Sequence, residues 1–343
     1  MSIRVGINGF GRIGRSFTRA LLARTDDDQA IELVGVNDPF GDSETVAFLL
    51  KHDSVAGVLR NNIAVTDDGF SIDGNDVKLF TEMNPADIPW GKLGVDVVIE
   101  STGIFTAREK AAGHLAAGAR KVVISAPSGD ADAMICMGVN DEIYDAATQD
   151  VISNASCTTN CLAPMAKVLR DSFGIEQGLM TTVHAYTSDQ ALQDIAKASR
   201  KGSPDLRRMR AAALSIIPSS TGAARAIGQV LPDLDGKLDG MAMRVPTPTG
   251  SITDLTVRLT RSATAEEINA AFQAASLDPS YRGVLEYSNE PLVSADIVGN
   301  PSSCIFSAVD TTSQGDFAKV LGWYDNEYGY SNRLVDLCLF IAG

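Results

Sequence analysis

Cysteine is scarce in this chain, and the arrangement of the few that occur excludes two kinds of structure. The 343 residues contain five, scattered at irregular intervals: Cys136, Cys157, Cys161, Cys304 and Cys338. An odd number without a repeated spacing argues against a disulfide framework, and no pair has the spacing of a zinc motif. We therefore expect a reducing compartment, predict a cytoplasmic location, and expect no metal.

Positive charge and long apolar runs are also lacking. The chain has 29 Lys and Arg against 43 Asp and Glu, a formal net charge of −14. This balance repels nucleic acids and acidic membranes, so we expect neither as a partner. No apolar stretch approaches the ~20 residues that span a bilayer. Any anionic ligand needs a local basic site.

One segment departs from the acidic background. Six basic residues and a single acid occur between positions 197 and 210, the basic ones being Lys197, Arg200, Lys201, Arg207, Arg208 and Arg210. A solvated or interfacial run of charge is the simpler interpretation, and recognition of a ligand phosphate is the other. The sequence leaves both open.

The length predicts two domains, and the pattern of elements changes between them. The first half alternates short β-rich runs with helical periodicity, with strands expected at 4–8, 31–37, 95–100 and 121–125 and helices at 12–24 and 107–117. This alternation is typical of α/β folds, and it predicts a Rossmann-type, doubly wound parallel sheet.

Longer strands follow one another in the second half. They are expected at 178–186, 238–245, 251–259 and 304–309, with helices at 221–231 and 264–276 and a final helix at 328–341. This order predicts an α+β domain with a mixed or antiparallel sheet covered by helices on one face. We place a dinucleotide-binding domain at 1–156 and a catalytic domain at 157–324, and expect the helix in 325–343 to pack back onto the first.

A glycine-rich turn follows the first predicted strand. Gly9, Gly11 and Gly14 have the spacing at which the first allows a tight turn, the second lets a pyrophosphate approach, and the third allows close helix–strand packing. Asp38 ends the second strand, 24 residues after Gly14, where an acid binds ribose hydroxyls and repels a 2′-phosphate. The pattern predicts NAD rather than NADP; a glycine turn without a cofactor is the alternative.

Cys157 directly precedes the amphipathic run 161–173 and is expected at a helix N-terminus. Unpaired N–H groups and the helix dipole favour thiolate there, so we predict a thiol pKa below the free value of about 8.5. A packed structural cysteine is the alternative.

A thiolate and a nicotinamide together indicate oxidation of an aldehyde through a hemithioacetal and a thioester. This chemistry needs a base, and the chain has only three histidines, His52, His114 and His184. His184 ends a predicted strand, where side chains of α/β enzymes meet in a shared crevice, so we predict that it is the base.

At this point the chain closely resembles phosphorylating glyceraldehyde-3-phosphate dehydrogenase over nearly its whole length. Five segments carry the resemblance: GINGFGRIGR at 6–15, SNASCTTNCLAP at 153–164, TTVHAYT at 181–187, MAMRVPTP at 241–248 and WYDNE at 323–327. The resemblance implies the glycolytic oxidation of glyceraldehyde 3-phosphate with NAD and inorganic phosphate. It assigns Cys157 as nucleophile and His184 as base, and it implies a homotetramer.

The resemblance also implies three sets of binding residues. Besides the glycines and Asp38, the cofactor set contains Arg12, Ile13, Ser125, Asn326 and Tyr330. The substrate's C3 phosphate is assigned to Thr187, Asp189 and Arg244, and the attacking phosphate to Ser156, Thr158, Arg208, Thr221 and Gly222. Helix capping by the hydroxyls and a structural ion pair for Arg244 are the simpler alternatives.

The loop at 190–204 is longer than the family pattern and holds part of the basic cluster. We therefore expect NAD as the main cofactor, with relaxed use of NADP if Lys197, Arg200 or Lys201 reaches the adenosine ribose. Two other functions stay open: an erythrose-4-phosphate dehydrogenase, whose thioester is hydrolysed, and a non-catalytic dinucleotide-binding sensor.

Overall fold

The computed structural model describes residues 2–24, 31–196 and 205–342. The chain forms two compact units. The first comprises residues 1–135, 142–155 and 331–343, and the second comprises 136–141 and 156–330. Three of the residues discussed above, Lys197, Arg200 and Lys201, lie outside the described residues.

The first unit contains, within the described residues, a nine-stranded sheet in the order β10-β11-β9-β8-β1-β2-β7-β6-β5. Its strands are β1 (Ile3–Asn8), β2 (Ile31–Asn37), β5 (Ile63–Thr66), β6 (Gly69–Ile72), β7 (Asn75–Phe80), β8 (Val97–Glu100), β9 (Lys121–Ile124), β10 (Ala133–Met134) and β11 (Val151–Ser153). Strand pairing is parallel from β10 across to β7, and β7, β6 and β5 form an antiparallel meander. The predicted parallel α/β sheet is confirmed.

Short helices connect these strands. They are α1 (Arg12–Ala23), α2 (Ser43–Lys51), α3 (Trp90–Leu93), α4 (Arg108–Ala111) and α5 (Gly113–Ala116), with the small hairpin β3 (His52–Asp53) and β4 (Gly57–Val58) after α2. The predicted single helix at 107–117 is wrong, because the segment divides into α4 and α5 at Ala112. Glycine at 113 has low helix propensity, which accounts for the break.

The second unit is built on a seven-stranded mixed sheet, counted over the described residues, in the order β13-β14-β12-β15-β18-β17-β16. Its strands are β12 (Ile175–Ala185), β13 (Ile217–Ser220), β14 (Leu238–Val245), β15 (Ser251–Leu259), β16 (Leu285–Ser288), β17 (Cys304–Gln314) and β18 (Phe317–Tyr324). Two pairs are parallel, β12 with β14 and β16 with β17, and the others are antiparallel. The predicted mixed sheet is confirmed.

Helices cover one face of this sheet. They are α6 (Cys157–Phe173), α7 (Ala223–Val230) and α8 (Ala265–Ser276). A separate helix, α9 (Tyr328–Ala342), ends the described part of the chain. α6 packs on β15, β17 and β18 and is buried along most of its length. The burial of β15 alternates strictly along its nine residues, as a strand covered on one face requires. Leu179 on β12 and Ile216, directly before β13, remain 69% and 68% exposed.

Candidate active site

The glycine turn of the first unit has three glycines with three different surroundings. Gly9 has φ +89°, and a Cβ there would lie 2.8 Å from the Thr102 nitrogen. A Cβ at Gly14 would lie 2.6 Å from the Gly9 carbonyl oxygen, whereas one at Gly11 would meet nothing within 4 Å. Gly9 therefore makes the turn, Gly14 allows α1 to approach it, and Gly11 leaves open space at the helix N-terminus. These surroundings fit a pyrophosphate.

Charged residues flank the turn. The Arg12 guanidinium forms an ion pair with Asp53, whose other carboxylate oxygen accepts from the backbone N–H groups of Val55 and Ala56 at 2.8 Å each. Burial opposes ionisation of Asp53, but these hydrogen bonds and Arg12 hold its pKa below the usual range. Arg12 is thus fixed beside the N-terminus of α1, where Ile13 follows it.

Two further predicted cofactor residues lie at strand ends of the same sheet. Asp38 directly follows β2; its backbone N–H donates to Phe80 O at 2.9 Å, and its carboxylate accepts from the Phe40 N–H at 3.1 Å. Ser125 directly follows β9, and its N–H donates to Glu100 O at 2.9 Å. Parallel strands place these ends at one edge of the sheet, the edge that also carries Gly9.

A buried polar network behind the turn was not predicted from the sequence. Asn8 donates to the Glu100 carboxylate at 2.6 Å, and His114 Nε2 lies 2.9 Å from the same oxygen. The Trp90 indole N–H donates to His114 Nδ1 at 3.0 Å. Because an indole only donates, His114 carries its proton on Nε2. Spacing along the chain gives no signal for this network, since its members come from four segments.

Cys157 is the first residue of α6 in the second unit. Ser156 caps the helix, its hydroxyl accepting from the Thr159 N–H at 3.0 Å. The preceding Ala155 has φ +54°, a left-handed conformation that is unusual for alanine and marks a tightly determined turn. The predicted helix is confirmed, and it begins at the thiol itself rather than at 161.

The thiol faces an imidazole. Cys157 Sγ lies 3.5 Å from His184 Nε2, and His184 is the second-to-last residue of β12. Burial raises the pKa of the Cys157 thiol, although Arg244 and the N–H groups at the start of α6 oppose the increase. The predicted lowering of this pKa is therefore wrong for the chain as it stands, because desolvation outweighs the helix terminus.

The imidazole is held uncharged. Burial, and then the nearby Arg244 guanidinium, lower the pKa of His184 to about 3. With a neutral thiol and a neutral imidazole, the pair is not fixed as an ion pair, and proton transfer from sulfur to nitrogen must accompany attack of the sulfur on a substrate.

Strand register places an arginine against this histidine. β12 and β14 are parallel, and His184 pairs with Arg244 in their register. The Arg244 Nη1 lies 2.8 Å from His184 Nδ1, 3.2 Å from Ala185 O and 3.3 Å from the Thr187 hydroxyl. Arg244 is thus adjacent to the base as well as to a predicted phosphate-binding residue.

The residues after β12 form a charged cluster with the basic segment. The Thr187 hydroxyl donates to Asp189, and Asp189 forms an ion pair with Arg208. Burial opposes ionisation of Asp189, but the Thr187 hydroxyl and the two arginines, Arg208 and Arg244, hold its pKa below the usual range. Arg208 also donates to Ser220 O at 3.4 Å, at the end of β13. The loop that carries Arg208 therefore reaches the segment before α7.

Thr221 and Gly222 lead into α7. Gly222 occupies the N-cap position, and the Thr221 hydroxyl accepts from the Ala223 N–H at 3.2 Å. Gly222 has open space where a side chain would be. An accessible helix N-terminus beside Arg208 provides donors of the kind that bind an oxyanion.

Tyr324 is a site residue that the sequence did not single out, although it lies in the WYDNE segment. Its hydroxyl lies 2.9 Å from the Thr158 hydroxyl and 2.8 Å from that of Thr182. Its ring meets His184 edge to face, with centroids 6.0 Å apart. Burial raises the pKa of Tyr324, so the hydroxyl stays protonated. Tyr324 thus connects the start of α6 with β12.

Asn326 has a fixed amide. Its side-chain oxygen accepts from the Ser251 hydroxyl at 2.8 Å and from the Thr249 hydroxyl at 3.3 Å. Asp325 accepts from the backbone N–H groups of Glu327 and Tyr328 at 3.0 Å each and thereby caps α9. Tyr330, the third residue of that helix, is 4% exposed.

The described arginines of the basic cluster form ion pairs or hydrogen bonds with other residues of the chain. Arg210 pairs with Asp194 at 2.6 Å, Arg208 pairs with Asp189, and Arg207 donates to Pro218 O at 3.5 Å. These three arginines therefore have partners within the chain, and the choice between a structural role and phosphate recognition stays open.

Cys157 differs from the other cysteines in exposure. All five are free thiols; Cys157 is partly exposed and the rest are buried. Cys161 lies against Gly322 O at 3.4 Å and against the Met165 sulfur at 4.0 Å, so it packs in the core as a small side chain.

Metal-binding clusters and membrane-spanning helices are both absent from the described parts of the chain. No group of three or more His, Cys, Asp or Glu side chains there could hold a metal ion. None of the helices described is long and apolar enough to cross a membrane.

A dinucleotide-type turn in one unit, together with a paired thiol and imidazole in the other, is the combination typical of cysteine-dependent aldehyde dehydrogenases. Comparison with known proteins gives the family. Residues 3–108 match the model of the glyceraldehyde 3-phosphate dehydrogenase NAD binding domain, and residues 156–326 match that of the C-terminal domain of the same family.

Full-length relatives agree with these matches. The chain is 58% identical to a glyceraldehyde-3-phosphate dehydrogenase of Streptomyces coelicolor, 57% identical to one of Mycobacterium tuberculosis and 56% identical to one of Mycolicibacterium smegmatis. Each comparison covers 100% of this chain and 99% of the relative. The chain belongs to the glyceraldehyde-3-phosphate dehydrogenase family.

Proposed function

We propose that this protein catalyses the NAD-dependent oxidation and phosphorylation of D-glyceraldehyde 3-phosphate to 1,3-bisphosphoglycerate. The observation that carries the proposal is the placement of Cys157 Sγ 3.5 Å from His184 Nε2, with Arg244 on the far side of the imidazole. Oxidation of a phosphorylated aldehyde requires a nucleophile for the carbonyl carbon, a base for the proton and a cation for the phosphate, and these three groups lie here in that order.

The two reacting side chains have complementary roles. Cys157 transfers its proton to His184 as the sulfur adds to the aldehyde carbon, and His184 returns that proton to the oxygen, which gives a hemithioacetal. His184 then holds the hydroxyl proton as the carbon is oxidised to a thioester on Cys157. When bound, the oxidised nicotinamide supplies the acceptor for the hydride that leaves this carbon.

Two groups of side chains are proposed to bind the two phosphates. Thr187, Asp189 and Arg244 would hold the C3 phosphate of the substrate, supported by the contact of Arg244 with Thr187 at 3.3 Å. The attacking phosphate would be held by five residues at two helix starts and one loop: Ser156, Thr158, Arg208, Thr221 and Gly222. Phosphorolysis keeps the energy of the thioester in an acyl phosphate.

NAD is proposed to be held by the turn residues Gly9, Gly11, Arg12, Ile13 and Gly14, together with Asp38, Ser125, Asn326 and Tyr330. Asp38 at the end of β2 disfavours a 2′-phosphate by charge repulsion. We therefore expect kcat/KM for NAD to exceed that for NADP. Equal or higher values for NADP would contradict the role of Asp38 and would point to Lys197, Arg200 or Lys201.

One spectrophotometric assay tests the reaction. We expect NADH formation from glyceraldehyde 3-phosphate and NAD to depend on phosphate or arsenate. Turnover that does not require either anion would indicate a hydrolytic enzyme of the erythrose-4-phosphate dehydrogenase type. A chain that binds NAD without turnover would instead be a sensor.

We infer a homotetramer as the assembly. Leu179 and Val183, four residues apart on β12 and therefore on one face of the strand, are 69% and 36% exposed, and Ile216, directly before β13, is 68% exposed. Exposed apolar groups on one face of a strand favour contact with another subunit. Light scattering after size exclusion should give four times the chain mass of 36.3 kDa, and a monomer mass would contradict the inference.

A cytoplasmic location and a division into domains at 1–156 and 157–324 complete the proposal. Five free thiols support a reducing compartment. Fractionation of the source cells tests the location, and limited proteolysis near the proposed boundary tests the division.

A further inference from the structure

A row of buried polar side chains crosses the carboxyl ends of adjacent strands in the first unit. In the order β7-β2-β1-β8, Asn37 ends β2, Asn8 ends β1 and Glu100 ends β8. Asn37 accepts from the Glu82 N–H at 2.8 Å, just beyond β7, and its amide donates to Asn8 Oδ1 at 2.8 Å. Asn8 in turn donates to the Glu100 carboxylate at 2.6 Å. The three side chains at the strand ends are buried.

The donors in this row converge on Glu100. One carboxylate oxygen accepts from Asn8 and from His114 Nε2 at 2.9 Å, and the other accepts from the Thr102 N–H at 2.9 Å and from the Thr102 hydroxyl. That hydroxyl accepts from the Ile104 N–H at 3.0 Å, so its hydrogen is available to Glu100. Since the hydrogen-bond partners of Glu100 among the described residues are all donors, its side chain is present as the carboxylate.

The charge of Glu100 is not balanced by a cation among the described residues. Its only ion-pair partner there is His114 at 2.9 Å. Trp90 donates to His114 Nδ1 at 3.0 Å, which leaves the imidazole with one hydrogen, on Nε2, and no charge. Glu100 is 1% exposed, and His114 and Trp90 are fully buried. A buried charge without a counter-ion is costly, and such costs are typical of functional sites.

Strand order places Glu100 on the nicotinamide side of the glycine turn. In a doubly wound sheet a dinucleotide lies across the carboxyl ends of the strands, with its two halves on opposite sides of the first strand. Asp38, which is proposed to bind the adenosine ribose, follows β2 on one side of β1, and Glu100 ends β8 on the other. Glu100 also holds Thr102, whose nitrogen would lie 2.8 Å from a Cβ at Gly9. The carboxylate is therefore directly behind the turn.

We propose that Glu100 is a specificity-determining residue for the oxidation state of the cofactor, and that its buried charge favours oxidised NAD (NAD⁺) over NADH. The nicotinamide ring of NAD⁺ carries a positive charge, whereas the ring of NADH is neutral. A fixed negative charge in a site of low dielectric constant stabilises only the first of these. The charge thus favours binding of the cofactor before the reaction and its release afterwards. This inference rests on the proposed NAD site at residues 9–14 and Asp38.

Binding titrations of the full-length protein with NAD⁺ and with NADH test the role of the charge without any turnover. Glu100→Gln removes the charge at nearly constant volume. We expect the ratio of dissociation constants, Kd for NADH over Kd for NAD⁺, to fall about tenfold, the scale of one charge–charge interaction in a partly buried site. A purely structural role would weaken both nucleotides by the same factor. An unchanged ratio in the folded variant would overturn the proposal.

The double variant Asn8→Asp with Glu100→Gln is the matched control, because it exchanges the two functional groups and keeps the charge. The new carboxylate at position 8 would accept from Asn37, and the new amide at position 100 would donate to it while its oxygen accepts from Thr102. His114 Nε2 lies 3.4 Å from Asn8 Nδ2, so it would keep a carboxylate neighbour. We expect this variant to recover the wild-type ratio. A folded double variant with the ratio of Glu100→Gln would contradict the role of the charge.

Thermal unfolding checks the single variant, because its amide hydrogens would face the N–H groups of Asn8 and His114. If Glu100→Gln does not fold, Glu100→Gln with His114→Gln replaces it, since the second amide supplies an acceptor and the pair is uncharged. The ratio should again fall about tenfold, and an unchanged ratio would overturn the proposal. Wild-type protein that binds neither nucleotide would instead contradict the proposed NAD site, so the two failures are distinguishable.

Discussion

The turn at 9–14 and the cluster around Cys157 are built in opposite ways. The turn takes its geometry from six consecutive residues, and its glycines are fixed by backbone packing, such as Gly14 against the Gly9 carbonyl at 2.6 Å. In the cluster, the first residue of α6, the end of β12 and the end of β14 supply one side chain each: Cys157, His184 and Arg244. A local site can therefore be recognised by spacing, whereas an assembled site depends on strand register.

The difference extends to charge. The turn binds through backbone groups whose properties are the same in every protein, but the thiol and the imidazole change with their surroundings. Burial raises the pKa of Cys157 and lowers that of His184 to about 3, and neither change can be obtained from the local sequence.

The largest expected effect separates the two cysteines of α6. Cys157→Ser should lower kcat with glyceraldehyde 3-phosphate by at least about 10⁴-fold, because a serine hydroxyl beside a weak base is a poor nucleophile. Cys161→Ser, one helical turn away and buried, should keep most of the activity. Steady-state assays of both variants measure this, and similar activities would contradict the assignment of the nucleophile.

Acid stability should depend on the assembled site. His184 has a folded-state pKa of about 3, below its unfolded value of about 6.5, so its contribution is fully present above pH 6.5 and is lost as the pH falls toward 3. This one group should remove roughly 1.4 kcal/mol of unfolding free energy per pH unit between pH 6 and pH 4. Urea unfolding of wild type and His184→Asn measures it, and equal slopes in the two proteins would refute it.

Substitutions in the turn should act through the backbone. Gly9→Ala combines φ +89° with a Cβ 2.8 Å from the Thr102 nitrogen, so it should cost about 2 kcal/mol of stability and weaken NAD binding. In Gly11→Ala the new Cβ would lie in open space, so this variant should fold normally. Any loss of NAD affinity would then come from contact between the Cβ and the bound NAD. Thermal unfolding and NAD titration test both variants, and equal stability losses would contradict the distinction.

The smallest effect is expected at Tyr324. Tyr324→Phe removes the hydroxyl that joins Thr158 and Thr182, a loss of about 1 kcal/mol, or about fivefold. Because Thr158 is proposed to bind the attacking phosphate, the KM for phosphate should rise while that for NAD stays constant. An equal change in both constants would indicate a general structural role.

Much of the fold could be predicted because its strands are strongly patterned. The strands at 31–37, 238–245 and 251–259 have the predicted bounds. The first and third contain five buried residues each, and the second contains two. The meander from β5 to β7 was not predicted, since its strands are short and Val77 is the single buried residue in β5 and β7. Weak burial leaves little alternation to detect.

The parts of the site that could be predicted are those whose residues lie in contiguous sequence motifs. Cys157, His184 and the glycines stand out by position alone. The pairing of His184 with Arg244 requires the parallel register of β12 and β14, and Tyr324 requires the order of the sheet. Such neighbours are separated by tens of residues along the chain, so no local pattern brings them together.

Because the five thiols differ in exposure, the number of cysteines that react with a thiol reagent reports the state of this protein. Since four are buried and only Cys157 reaches the surface, a bulky thiol reagent should label one sulfur in a folded chain and five in an unfolded one. The stoichiometry of labelling then reports the folded fraction of a preparation, and the first equivalent measures how many active-site sulfurs are intact. A single chemical reaction can thus follow both the integrity of the core and the state of the nucleophile.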